Sequence, residues 1–315
     1  MLSRTAEGLF WIARNLERAE TYARLLQVGY RMSMTPSPAG GYESEWSSVL
    51  AATGNADEFS RHYDEVNERN VENFLSFDAR NPSSIKNCIA SARNNARANR
   101  VAVTTEVWEA LNHAYLEFRE LEKDRNALKK IPDLVDWVKR QSATIRGSFL
   151  NTQLLIDSSD FFNLGYYLER ADNTARLLDV KYFVLLPTIH MVGGSVDSYQ
   201  WMTLLRAVSA VRAFHWTYGG DHSPERIAHF LILNPACPRS LFHCCDRMEY
   251  HFSRLAKLYG TSNPAHYLLA ERLERFYEAD IRDIIKQGLH EFLSKFIADM
   301  GKLNNQIAES YLFER

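Results

Sequence analysis

One stretch of thirteen residues is written twice in this chain, and no other feature narrows the possible folds as far. Leu16-Glu17-Arg18-Ala19-Glu20-Thr21-Tyr22-Ala23-Arg24-Leu25-Leu26-Gln27-Val28 returns as Leu168-Glu169-Arg170-Ala171-Asp172-Asn173-Thr174-Ala175-Arg176-Leu177-Leu178-Asp179-Val180, nine of thirteen positions being identical. At the helical period, Leu9, Ile12, Leu16, Ala19, Ala23 and Leu26 form one apolar stripe. Trp11, Tyr22 and Leu25 form a second stripe on nearly the opposite side. A helix apolar on most of its circumference belongs in the interior. Yet Glu17, Glu20 and Arg24 cluster between the stripes, and Arg18 falls inside the second one. The other copy repeats the problem with Glu169, Asp172, Arg176 and an isolated Arg170. A buried charge without a partner costs several kcal/mol or more, so these eight groups must pair within a copy or across to the other.

Further matches follow at a slowly growing offset. Trp46-Ser47-Ser48-Val49-Leu50 answers to Trp201-Met202-Thr203-Leu204-Leu205, and Phe59 and Tyr63 to Phe214 and Tyr218. Phe74-Leu75, Pro82, Ser84, Ile85 and Cys88 align with Phe230-Leu231, Pro238, Ser240, Leu241 and Cys244. Duplication with small insertions produces such a pattern. It predicts an all-α helical bundle of two tandem pseudo-symmetric repeats, residues 1–157 and 158–315, forming one unit.

Along the chain, Ser3 or Thr5 is expected to cap the first helix, which Pro36 to Gly41 stops. Short helices are expected near Trp46–Ala52 and Asp57–Phe77. From Ile85 to about Leu121 there is no Pro or Gly, and one long helix is expected. Others are placed at about Asp133–Leu155, from Asp157 through the second copy to Pro187, and at Gln200–Tyr218, Pro224–Leu233, Arg239–Tyr259 and Pro264 to the end. Gly193-Gly194-Ser195 reads as a loop. No segment alternates with period two, so no strand is expected.

Thirty-seven Lys and Arg against 39 Asp and Glu leave a net charge of −2 without a basic tail. That argues against nucleic acid as a partner. No apolar run reaches the ~18 residues of a membrane span, and no leader-like segment opens the chain, so a cytoplasmic protein is expected. Cys88, Cys237, Cys244 and Cys245 lack metal-ligand spacing and read as reduced core thiols.

Met1-Leu2-Ser3-Arg4-Thr5-Ala6-Glu7, the two Leu-Glu-Arg-Ala runs, Asn81-Pro82-Ser83-Ser84-Ile85 with Ala92-Arg93-Asn94-Asn95-Ala96-Arg97, and Trp108-Glu109-Ala110-Leu111-Asn112 together resemble the bacterial alpha-E family. The resemblance spans nearly the whole chain. It implies a helical domain with a Glu-Arg signature that accompanies ATP-grasp amide-bond-forming enzymes and transglutaminase-like peptidases, which are the expected partners.

Glu17, Arg18, Glu20, Arg24, Glu169, Arg170, Asp172 and Arg176 form the first candidate cluster. Four carboxylates on two helices invite comparison with carboxylate-bridged metal sites, but neither copy has the His at i+3 that such sites use, and each has an Arg at i+4 instead. An internal ion-pair network is expected, with neither metal nor cofactor. Most histidines lie late and singly, Glu225 and His229 sharing a helical face. Arg93, Arg97 and Arg100, at i, i+4 and i+7, are a second candidate: an arginine stripe able to hold an anionic ligand or an acidic partner loop, with Trp108 and Glu109 nearby. Two functions follow, a non-catalytic adaptor or accessory subunit of an ATP-grasp system, or an enzyme or substrate-binding half-enzyme using a Glu/Arg-lined cavity.

Overall fold

The computed structural model describes residues 1–34, 42–123, 131–184 and 195–314, and among them the elements are helices with no strand. The first half contains α1 (Ser3–Ser33), α2 (Tyr42–Thr53), α3 (Ala56–Ser60), α4 (Glu68–Ser76), α5 (Ile85–Ala98), α6 (Thr105–Lys123) and α7 (Ile131–Thr152). The second contains α8 (Asp157–Val184), α9 (Ser195–Ala207), α10 (Val211–Tyr218), α11 (Pro224–Ile232), α12 (Leu241–Tyr259), α13 (Pro264–Tyr277), α14 (Ile281–Gln287) and α15 (Leu289–Ser310). No described helix is long and apolar enough to cross a membrane.

The two signature helices, α1 and α8, pack against each other at the centre. Between Gly8 and Gly29, every residue of α1 is buried except the half-buried Trp11, Arg18 and Gln27. Their neighbours correspond. Helices α5 and α7 lie on α1 as α12 and α15 lie on α8, while α2 and α9 each touch both central helices. The larger apolar cluster takes residues from Ala6 to Phe313 and so joins both halves. A smaller one packs Leu9, Ile12 and Leu16 against Ala92, Val107, Phe149 and Phe162. The central helices meet closely at Gly165, where an added Cβ would stand 2.2 Å from the Phe10 carbonyl oxygen.

Caps account for several boundaries. Ser84 and Ser240 each accept a hydrogen bond from the backbone N–H three residues on, at Asn87 and His243, and so open α5 and α12. Ser223-Pro224 and Asn263-Pro264 place Pro just inside the start of α11 and α13.

Several expectations need correction. Neither Ser3 nor Thr5 caps α1, which starts after Leu2 without a side-chain cap and is held instead by its buried length. The expected long helix from Ile85 breaks after Ala98, because Asn99 turns its side-chain amide back to the Asn95 carbonyl and a short 3₁₀ turn, Arg100–Ala102, follows. The stretch from Pro264 is three helices rather than one. Asp280 caps α14, and Gly288, at φ 113°, supplies the positive φ that ends it. Asp57–Phe77 and Gln200–Tyr218 are likewise each two helices. The expected stops at Pro36–Gly41 and Pro187, together with Gly193 and Gly194, lie outside the described residues.

Candidate functional site

The Glu-Arg signatures pair reciprocally across the centre. Arg18 of α1 grips Glu169 of α8 with two donors, Nε to Oε1 at 2.6 Å and Nη2 to Oε2 at 3.0 Å. Arg170 of α8 grips Glu17 of α1 in the same way, at 3.1 and 2.9 Å. Within each copy the i+4 arginine holds the second carboxylate: Arg24 Nε donates to Glu20 at 2.9 Å, and Arg176 Nε to Asp172 at 2.6 Å. Both signature glutamates are 1 % exposed, while Arg18, Arg170, Asp172 and Arg176 are half-buried, so the network is buried at its centre and reaches outward at its edges. The expectation that these charges answer one another holds for all eight.

Two further arginines complete the network, and neither stood out in the sequence. Arg14 Nε donates to Glu169 at 2.7 Å, with another nitrogen on Asn304. Arg239 bridges the carboxylates of the first copy, donating to Glu17 at 2.8 Å and to Glu20 at 2.6 Å. In the alignment of the halves, position 14 faces Tyr166 and position 239 faces Ser83, so no repeated residue marks either one.

The electrostatics follow from burial and crowding. Burial alone would keep Glu20 and Glu169 protonated, but Arg239 and Arg24 around the first, and Arg18 and Arg14 around the second, outweigh it and hold each carboxyl at about 2. Arg18 is raised, chiefly by Glu169. Arg24 is lowered, first by burial and then by Arg239 beside it. Folded-state values below the ordinary 4.5 add stability that is complete above that pH and lost as pH falls from about 4.5 towards 2. The urea midpoint is therefore expected to drop across this acid window. A flat profile there would contradict the ion-pair assignment.

The network is flanked by two cavities, one on each side. The first, of about 350 Å³, is bounded by Glu17, Glu20, Arg24 and Arg170 on one wall and by Lys139, Ser142, Ala143 and Arg146 of α7 on the other. The second, of about 280 Å³, has Glu169, Asp172, Arg176 and Arg18 facing Ile297, Met300, Gly301 and Asn304 of α15. Signature positions thus occupy matching places in the two cavities, and so do the facing residues of α7 and α15. The cluster is therefore closed by mutual ion pairs and also borders open space.

A family model described as Alpha-E, a predicted alpha-helical domain with a conserved ER motif, matches residues 1–312. The chain belongs to the Alpha-E family. Neither a curated protein nor a solved structure matches it. In this Alpha-E chain, Glu17-Arg18 and Glu169-Arg170 are the two Glu-Arg pairs at the centre.

The arginine stripe does not form as expected. Arg93 and Arg97 are on α5, whereas Arg100 lies past its end in the 3₁₀ turn, so the three do not share one continuous helical face. Arg93 is half-buried, its guanidinium 5.5 Å from the Trp108 ring centre and 4.9 Å from that of Tyr115, with Nε donating to Asn112 at 3.1 Å. Arg100 also faces Trp108, at 5.8 Å. Arg97 and Glu109 are exposed, and Arg93 does not reach the signature carboxylates.

Among the described residues, no group of three or more His, Cys, Asp or Glu is placed to hold a metal ion. His229 bonds Tyr218, while Glu225 pairs with Arg282. All four cysteines are free and buried, and burial pushes the Cys88 and Cys244 thiols up to about 12. Asp160, in the first turn of α8, is buried against His251 and Arg254, both at 2.8 Å.

Proposed function

We propose that this chain is a non-catalytic helical accessory subunit of a bacterial, cytoplasmic amide-bond-forming system, acting beside an ATP-grasp ligase and a transglutaminase-like peptidase in peptide modification. The observation that carries the non-catalytic part is the commitment of all eight signature charges to one another. A general base or nucleophile needs a group free to meet a reacting atom. Here Glu17 and Glu169 each accept from two arginines and are 1 % exposed. They fix α1 against α8, and a rigid central pair is what a presenting or docking scaffold requires. The partner class rests on the family resemblance.

The test is affinity capture of the tagged chain from an extract of its source organism, with mass spectrometry, followed by an ATP-dependent ligation assay. An ATP-grasp enzyme should be enriched over an untagged control, and amide-bond formation should fall when this chain is omitted. Ligation by this chain alone would replace the adaptor with the half-enzyme reading, which the two cavities beside the signatures favour. Capture without any ATP-grasp enzyme would remove the proposal.

A further inference from the structure

The cavity on the α7 side carries more positive charge than its acids can use. Arg24, Lys139, Arg146 and Arg170 line it against two carboxylates, Glu17 and Glu20. Both carboxylates are already matched twice, Glu17 by Arg170 and Arg239, Glu20 by Arg24 and Arg239. Two cations are left over. Among the described residues, the one carboxylate within ion-pair distance of Lys139 is the exposed Asp136, at 3.9 Å. Among the described residues, Arg146 has no carboxylate within ion-pair distance. Its Nη2 donates to the neutral Asn163 at 2.7 Å, while its Nη1 is buried with no hydrogen-bond partner.

A half-buried guanidinium in this state is costly, because desolvation is offset neither by a counter-ion nor by a full set of acceptors. Aromatic rings supply part of the compensation. The guanidinium sits 4.0 Å from the Tyr166 ring centre and 5.5 Å from that of Phe162. Burial nevertheless lowers the Arg146 pKa, opposed by Tyr166 and Tyr167.

The second cavity shows what a fully paired version looks like. Asn304 stands where Arg146 stands, Ile297 where Lys139 does, and Arg14 where Tyr166 does. Every arginine there donates to Glu169 or Asp172. Cations without a carboxylate partner in the cavity are thus, among the described residues, peculiar to the α7 side. An internal scaffold does not need them, but an incoming anion does.

We propose that the α7-side cavity is a binding site for a small carboxylate carried on a short apolar body, the carboxylate seated between Arg146 and Lys139. A guanidinium edge and one ammonium suit the planar, singly charged group. Ala13, Leu16 and Phe162 supply an apolar wall for the body. About 350 Å³ lies within the range of small-molecule sites, at the size of an acylated amino acid. The inference does not depend on the adaptor role, since the isolated chain suffices to test it.

The experiment is calorimetric titration of the full chain with N-acetyl-leucine, its uncharged amide and isobutyl phosphate. The acid should bind saturably and the amide roughly tenfold or more weakly, as expected for loss of a charge-assisted contact. Arg146→Gln should weaken the acid by a similar factor while preserving the melting temperature, and Lys139→Gln should weaken it less. Equal binding of acid and amide, no saturable binding of the acid, or binding of the phosphate alone would each overturn the proposal. So would an Arg146→Gln protein that folds and binds the acid as wild type does. Should Arg146→Gln fail to fold, Lys139→Gln carries the same test.

Discussion

Glu169→Ala is expected to remove about 3–5 kcal/mol of folding stability, read as a lower urea midpoint with an unchanged slope. The size follows from what is left behind rather than from the pair's net worth. Removing this carboxylate strands Arg14 and Arg18 together, one buried and one half-buried, whose one ionic partner among the described residues is Glu169. The shortened side chain also opens space between α1 and α8. Glu169→Gln keeps the volume and one acceptor oxygen but sets an amide NH2 against arginine donors, so it should lose less than Ala while still losing stability, and the difference between the two variants separates packing from charge. An unchanged midpoint with impaired ligation or partner capture would make Glu169 a working site residue rather than part of a lock.

Gly165→Ala is expected to be comparably severe for a different reason. The new methyl group would meet the Phe10 carbonyl oxygen at 2.2 Å, and that atom is backbone of the facing central helix, unable to swing aside as a side chain could. Overpacking in cores costs about 1–3 kcal/mol where neighbours can adjust; here α1 and α8 must separate, loosening the Glu-Arg pairs along their length. The upper end of that range or beyond is expected. Gly147→Ala on α7 is the control. Nothing lies within 4 Å of its added Cβ, so removing a flexible residue there should be neutral or stabilise by up to about 1 kcal/mol. Coincident melting of Gly165→Ala and wild type would show that the helices do not approach so closely.

How much of this was legible in the sequence differs from residue to residue. Periodicity places a side chain on a face of its own helix, and that sufficed to show that Glu17, Arg18 and their counterparts were interior charges needing partners. It does not say which helix the face meets. The i+4 pairs, Glu20 with Arg24 and Asp172 with Arg176, could be read locally; the exchange of Arg18 for Glu169 and Arg170 for Glu17 could not. Arg14 and Arg239 escaped because repetition was the guide and these positions differ between halves. Arg146 carried no motif at all, and its significance arises from having, among the described residues, no carboxylate within ion-pair distance. The break at Asn99 was hidden because a side chain competing for helix carbonyls leaves no Gly or Pro behind, whereas the stop at Gly288, passed over in the single helix expected from Pro264, had a glycine to mark it.

The reciprocal grip also bears on the history such a chain can record. Glu17 is read by an arginine 153 positions away and Glu169 by one 151 positions away, so a change in either signature is felt at once in the other. Neither half can drift alone. Under that rule, an invariant Glu-Arg pair across a family is the imprint of two segments holding each other to account, with no substrate needed to preserve it.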